Sequence, residues 1–299
     1  MNEIRIASLE CLGDGGVGAA LRRAQDMIVE ACFDRPDLIC LPELFAWTSL
    51  TGDQKIKSAE PVNGPFCTTF AGMAAEQGVN ILTPLLEKEG NRVYNSLVWL
   101  DRKGRVTGVY RKAFPTDYEM AEGIDPGPLD FEVFQTEFGP IGACICFDIN
   151  FKDVIERLAS QQVKLVIFPT MFQGLALMQA WAKLYRMYFV SAAAYPYAAV
   201  VDPLGRVLAA PWNHDPILQT TLNLDYVVLH RDRNRDLFPA VKATYGSSVT
   251  VDQVYIESCA LLASRHSAKS ARELVEEFNL ELEESYYQRS AELCRGKRK

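Results

Sequence analysis

Apolar and polar residues alternate with a period of two over residues 4–8, then recur at helical spacing over 17–32. The switch predicts a strand followed by an amphipathic helix. A short apolar run at 37–41 ends at Pro42-Glu43, and a second helical stretch over 64–77 is stopped by Gly78. Three strand-like runs follow, at 80–86, 93–100 and 106–110. Glu89-Gly90-Asn91 and Lys103-Gly104 separate them as hairpin turns would. Residues 112–129 read as a long loop rich in Pro, Gly, Asp and Glu, and loops of that length inside a compact domain are usually functional. Runs at 131–136 and 141–146 form a hairpin-like pair around Glu137-Phe138-Gly139-Pro140.

The second half continues the alternation. A short helix over 153–160 leads into a buried strand over 165–168, and 175–188 is helical. Strands are expected at 188–193, 198–201, 207–209 and 217–224, with Asp202-Pro203-Leu204-Gly205 as a turn. From 269 to 294 the chain becomes charged and helical, with Leu274, Phe278, Leu282 and Tyr286 on one stripe. Strands alternating with helices, with hairpins among the strands, indicate a mixed α/β sandwich. The composition shift near Asp225 divides a domain over 1–225 from a largely helical C-terminal extension over 226–299.

Composition narrows the function. The 299 residues are 48% hydrophobic and 23% charged, as in an ordinary globular protein with a sizeable core. A net charge of −7 argues against a nucleic-acid surface, and the basic run Arg295-Gly296-Lys297-Arg298-Lys299 reads as a frayed, solvated tail. No signal peptide and no uncharged apolar run of membrane-spanning length is visible, so a cytoplasmic location is expected. The eight cysteines lack C-x-x-C spacing, which argues against zinc sites and a disulfide framework. No G-x-S-x-G elbow, phosphate loop with its lysine, or H-E-x-x-H helix occurs. Gly13-Asp14-Gly15-Gly16 lacks that lysine and reads as a turn.

Three short segments carry the chemistry: LPELF at 41–45, YRKAF at 110–114 and GACICFDINF at 142–151. Each puts a reactive residue at the end of an apolar run: Glu43, Lys112 and Cys146. A carboxylate can take a thiol proton, the thiolate can attack, and a cation can hold the developing oxyanion. Cys144 would share a face with Cys146 in an ideal strand and reads as core. Cys146 stands where the strand gives way to a helix, where backbone N–H groups can lower a thiol pKa and the Phe147 N–H can donate to an oxyanion. Apolar neighbours on both sides of Glu43 suit a partly desolvated base. Lys112 sits beside Arg111, and one of the two cations is expected to face inward. None of the three histidines, His214, His230 and His266, lies near Cys146 in sequence, which favours a carboxylate as base.

The ordered set Glu43, Lys112, Cys146 in the contexts LPE, YRK and ICFD resembles the nitrilase superfamily of carbon–nitrogen hydrolases. The likeness runs from Ile4 to about Asp225 and includes PGPLDFEVFQTEFGPIGACICFD and the later VVDPLGRVLA. It implies a four-layer α-β-β-α sandwich with two sheets face to face. It also implies Glu43 as general base, Lys112 as oxyanion stabiliser and Cys146 as nucleophile, with no metal and no organic cofactor. The implied partners are a small amide or N-carbamoyl substrate and water, with no nucleic acid and no membrane, in a homodimer or higher homo-oligomer. Nitrile hydrolysis by the same triad, or a catalytically silent binding or scaffold protein, are the alternatives.

Many members carry a second glutamate after the lysine, and two positions compete here. Thr116-Asp117-Tyr118-Glu119 looks like the T-P-F/Y-E form and favours Glu119. The EG-x-x-PG spacing around Glu122 resembles the aliphatic amidases instead. Where many members have Arg-Phe-Pro-Glu after the nucleophile, this chain has Asn150-Phe151-Lys152-Asp153, so a relative's substrate does not transfer. Arg186 is a candidate for meeting a substrate carboxylate, against the plainer reading of a salt bridge.

Overall fold

A computed structural model describes residues 3–13, 15–195, 198–210 and 215–298. The chain runs β1 (Glu3–Leu9), α1 (Val17–Ala31), β2 (Leu38–Cys40), α2 (Gly52–Lys57), α3 (Pro65–Gln77), β3 (Asn80–Glu89), β4 (Arg92–Leu100) and β5 (Val106–Arg111). It continues α4 (Asp117–Glu122), β6 (Phe134–Thr136), β7 (Gly139–Ala143), α5 (Lys152–Ser160), β8 (Leu165–Thr170), α6 (Leu175–Tyr185) and β9 (Tyr188–Ala193). Next come β10 (Val200–Val201), β11 (Val207–Ala209), β12 (Ile217–Asn223) and β13 (Tyr226–His230). The remainder is α7 (Arg231–Asn234), α8 (Phe238–Tyr245), β14 (Val249–Val254), β15 (Cys259–Ser264), α9 (Ala271–Glu277) and α10 (Glu283–Lys297).

Two compact units result: residues 4–221, and residues 222–299 with 1–3. In the first, two six-stranded sheets have the orders β12-β1-β2-β3-β4-β5 and β11-β10-β9-β8-β7-β6. Each is parallel at its centre (β1/β2/β3 and β7/β8/β9) and antiparallel toward its β4/β5 or β10/β11 edge. The sheets pack face to face. The Ser8 hydroxyl donates to the Ser191 carbonyl across the seam at 2.6 Å, and the rings of Trp99 and Phe134 stand 5.3 Å apart. Gly108 permits this approach, since a Cβ there would meet the Phe134 ring at 2.6 Å. Helices α1 and α3 cover one sheet, burying Ala24, Ile28, Phe66 and Phe70. On the other sheet, α5 buries Val154, Ile155 and Leu158, and α6 packs beside β9 and β10. Strands covered on both faces lose the polar–apolar alternation, and eight consecutive residues of β3 are buried. The architecture is the expected four-layer α-β-β-α sandwich.

The second unit holds a three-stranded antiparallel sheet, β13-β15-β14, where the sequence suggested a largely helical extension. Phe238 and Val241 of α8, and Ala271 and Leu274 of α9, pack with Leu229, Val249 and Leu262 in its core. The single stripe expected over 269–294 is broken. Asn279 takes φ 50°, and the buried Asn234 side chain holds Glu281 through both its N–H and its C=O at 2.8 Å. That side chain acts as a strand partner and separates α9 from α10. The basic tail is also more ordered than expected, because α10 continues to Lys297. Arg295 and Lys297 lie in its last turn, where cations favour the helix dipole. Among the described residues, no helix is long and apolar enough to cross a membrane.

Candidate active site

Site residues gather at the carboxyl ends of strands in the first unit. Glu43 follows β2 by three residues and is buried. Leu44 behind it takes φ 36°, a left-handed conformation that a branched side chain rarely adopts. Lys112 follows β5 directly and is 1% exposed. Its N–H donates to the Asn95 carbonyl, extending the β4–β5 ladder, and its own carbonyl accepts from Gly127 at 2.8 Å. A Cβ on Gly127 would meet the Arg111 carbonyl at 2.4 Å, so only glycine lets the long loop return so close to the strand.

Strand β7 ends at Ala143, earlier than the expected 146. Cys146 instead opens a 3-10 turn over Cys146–Asn150 with φ 47°. This left-handed residue ends the strand alternation that would have set Cys144 and Cys146 on one face. Cys144 is fully buried, whereas Cys146 lines a cavity. Such local strain persists where the surroundings impose it. Here the buried carboxyl of Asp148 does so, accepting from the Ile145 N–H (3.0 Å), the Phe114 N–H (2.8 Å) and the Tyr110 hydroxyl (2.8 Å). It therefore ties the cysteine turn to the loop after Lys112. Phe114 stacked on Phe151 at 3.8 Å, and the Trp181 indole N–H donating to the Ile149 carbonyl, brace the same turn.

The loop after Lys112 is not structureless. Thr116 caps α4 by accepting from the Glu119 N–H, and the Glu119 carboxylate accepts from the Thr116 N–H at 2.8 Å. The T-x-x-E spacing is that of a capping box. It aims Glu119 at Lys112, whose ammonium donates to Glu119 Oε2 at 2.7 Å and to Glu43 Oε1 at 2.8 Å. Glu122, the competing position, pairs with Lys55 at 2.9 Å instead. The Asn95 amide donates to Glu43 Oε1 at 2.8 Å and to Glu119 Oε1 at 2.9 Å.

Glu43, Lys112, Glu119 and Cys146 all line one cavity of about 300 Å³, with Leu44, Trp47, Leu50 and Met171 as its apolar wall. Phe147 N–H belongs to the first residues of the 3-10 turn, where main-chain donors have no partner inside the turn. Arg186 does not line this cavity; it caps the far end of α6. His230 and His266 lie in the second unit, and His214 and Asp14 lie outside the described residues. Sequence reasoning missed Asn95, Asp148 and Met171.

The electrostatics fix the resting protonation of the thiol and the amine. Burial, and then the Glu43 carboxylate, push the Cys146 thiol above its ordinary range, against the pull of Lys112 and the Met171 main chain. The lowering expected from backbone N–H groups is outweighed, because a largely buried sulfur loses more from desolvation than it gains from one donor. Burial disfavours the Lys112 ammonium, but Glu43 and then Glu119 outweigh it and hold the amine above the ordinary lysine range. Burial likewise opposes ionisation of Glu119, and Lys112 overcomes it and lowers that carboxyl. At neutral pH the cavity therefore holds a thiol and an ammonium, with Glu119 ionised. Among the described residues, no cluster of three or more His, Cys, Asp or Glu side chains is arranged to hold a metal ion.

The carbon-nitrogen hydrolase family model matches residues 17–232. The chain belongs to the carbon-nitrogen hydrolase family. It is 29% identical over 175 residues to the N-carbamoylputrescine amidase of Arabidopsis thaliana, which covers 56% of this chain and 58% of that one. It is 24% identical over 290 residues to the N-carbamoylputrescine amidase of Solanum lycopersicum, covering 82% of this chain and 97% of that one. Its fold is similar to the crystal structure of a carbon-nitrogen hydrolase from Helicobacter pylori G27, with a TM-score of 0.68 at 18% identity over 81% of this chain and 94% of that one. The chain is thus a carbon-nitrogen hydrolase by family, with relatives named as amidases.

Proposed function

We propose that this protein hydrolyses a carbon–nitrogen bond of a small amide or N-carbamoyl compound through a thioester on Cys146. One observation carries the reading: a strained cysteine shares a buried cavity with an ammonium held by two carboxylates, Glu43 and Glu119. Because the thiol rests protonated, attack needs a base in contact with it. Glu43 acts on the Cys146 thiol, and its Oε2 has no hydrogen-bond partner, so it is open to take a proton. The cavity volume lies at the low end of the ~300–1,000 Å³ typical of ligand sites, which suits a small substrate.

In the first step Glu43 takes the thiol proton as sulfur bonds to the carbonyl carbon, and the C=O electron pair moves onto oxygen. Two of the three Lys112 ammonium protons are engaged by Glu43 and Glu119, and the third meets the oxyanion, together with the Phe147 N–H. The C–N bond then breaks, and the proton on Glu43 passes to the departing nitrogen. Water, deprotonated by Glu43, adds to the thioester; the tetrahedral oxyanion re-forms its C=O as the C–S bond breaks, releasing the acid, and the leaving Cys146 thiolate takes the proton back from Glu43. Glu119 holds Lys112 in place throughout. Cys146→Ala is expected to lower hydrolysis by about 10⁴-fold or more. Ammonia or amine release at the wild-type rate from that variant would sink the reading.

A further inference from the structure

Asn95 stands in the middle of β4, 1% exposed, one residue from the Ser96↔Arg111 pair of the ladder. Its amide group lies between two carboxylates, and both contacts, at 2.8 and 2.9 Å, are to carboxylate oxygens. Only the NH₂ end of the amide can satisfy two such acceptors, since the opposite orientation would set a carbonyl against two anions. The cost is visible on the other side of the group, where Asn95 Oδ1 is buried with no hydrogen-bond partner. A buried acceptor left unpaired needs a reason. Asn80 Oδ1 is unpaired in the same way, so what sets Asn95 apart is that both of its acceptors are carboxylates lining one cavity.

Glu43 Oε1 receives two donors, Asn95 Nδ2 and Lys112 Nζ, both at 2.8 Å, while Oε2 receives none. The two donors lock the carboxylate rotation, so that one oxygen is saturated and the other is kept as a bare acceptor. The same amide nitrogen holds Glu119 through its Oε1, leaving Glu119 Oε2 for Lys112 and the Thr116 N–H. The Asn95 carbonyl also takes the Lys112 N–H, so one residue touches all three members of the ion cluster.

We propose that Asn95 is a positioning residue that fixes the Glu43 carboxylate so that Oε2 is left bare for the Cys146 proton. This rests on Glu43 being the base for Cys146. The charged or titratable groups around Glu43 are Lys112 at the end of β5, Glu119 on α4 and Cys146 on the 3-10 turn, with Lys55 of α2 on the cavity wall and Asp148 behind Cys146. A hydrogen bond to the charged form favours it. Removing the Asn95 donor therefore takes one of its two stabilising contacts from the base-side carboxylate.

The test is the rate of Cys146 alkylation by iodoacetamide across the acid-to-neutral range, followed by peptide mass spectrometry so that the other cysteines are read separately. Sulfur displaces iodide and Glu43 takes the proton, so no knowledge of the natural substrate is needed. In wild type the rate is expected to fall on acidification, and Glu43→Gln to abolish that acid limb. Asn95→Ala is expected to move that acid limb upward by about one pH unit. Asn95→Leu, which keeps the volume, removes the donor and adds no charge, is expected to move it the same way and serves if the alanine variant does not fold. Asn80→Ala removes another buried strand asparagine, which donates to the Asp37 carbonyl and Glu137, and is expected to lower stability without moving the limb. If Glu43→Gln abolishes the limb while both Asn95 variants leave it in place, the Asn95 assignment is wrong. If Glu43→Gln leaves the limb intact, the base assignment itself fails, and the role of Asn95 with it.

Discussion

Arg111 and Lys112 are consecutive cations, each gripped by two carboxylates, and they do opposite jobs. Arg111 binds Glu87 at 2.6 Å and Glu89 at 2.7 Å, and its guanidinium lies 4.4 Å from the centre of the Tyr94 ring. Its Nε and Nη2 edge is committed, since both reach Glu87 and Nη2 also reaches Glu89. Lys112 points to the other face of the strand end, into a cavity, with two ammonium protons committed and a cysteine nearby. The pairs differ less in Coulomb energy than in what is left over. A guanidinium spent on carboxylates outside the cavity is architecture, whereas a point charge with a spare donor beside the proposed nucleophile is suited to chemistry. Strand alternation does the sorting, by sending neighbouring side chains to opposite faces.

The comparison breaks most directly at Lys112. Lys112→Ala should cut turnover per folded molecule by about 10²–10³-fold, the usual effect of losing an oxyanion donor. It also leaves Glu43 and Glu119 facing one another without a counterion, so the melting temperature should fall as well. Arg111→Ala should do only the second. It strands the Glu87 carboxylate, 2% exposed, without its cation, which costs about 3 kcal/mol or more in unfolding free energy. Turnover of the folded fraction should be unchanged, and a matching loss of turnover would erase the distinction between the two cations.

Asp148 gives a pH-dependent version of the same contrast. Burial pushes its carboxyl up to about 7, although the Ile145 and Phe114 N–H groups, Lys112 and Tyr110 pull it back. An unfolded aspartate ionises near ~3.9. Between those values the folded state binds more protons, so the stability from this group is full below the unfolded pKa and is lost as pH rises through about 7. Asp148→Asn should remove that loss, seen as a wild-type-minus-variant difference in denaturant unfolding that declines across the window. A difference that does not vary with pH would mean that Asp148 is ionised throughout. The smallest effect is expected at Glu122, whose pair with Lys55 is partly solvated. Glu122→Gln should cost about 1 kcal/mol or less and change turnover by less than about threefold. A larger loss of turnover would move Glu122 into the site.

Much of this was legible in the sequence because apolar runs ending in Glu43, Lys112 and Cys146 mark strand ends in any sandwich of this kind. The residues that hold them were harder to see. Asn95 lies within VYNSLV, where an alternating polar residue looks like the solvent face of a strand, yet it is 1% exposed and held between Glu43 and Glu119. Asp148 reads as an ordinary polar residue after a cysteine until the turn at φ 47° folds it beneath Tyr110 and Phe114. The expected stripe from Leu274 to Tyr286 has correct helical spacing, yet Asn234, some forty residues earlier, interrupts it through contacts no local pattern encodes. Local periodicity reports elements, and hydrogen bonds from polar side chains to main chain distant in sequence help decide where these elements stop.

The most direct test of the central claim is the intact mass of the protein after brief incubation with a panel of small amides, N-carbamoyl amines and nitriles, comparing wild type with Cys146→Ala. The account predicts a mass increase on the wild type alone, equal to the acyl group of whichever compound is turned over, and none on the variant. The same adduct on Cys146→Ala, or release of ammonia or amine by that variant at the wild-type rate, would contradict it.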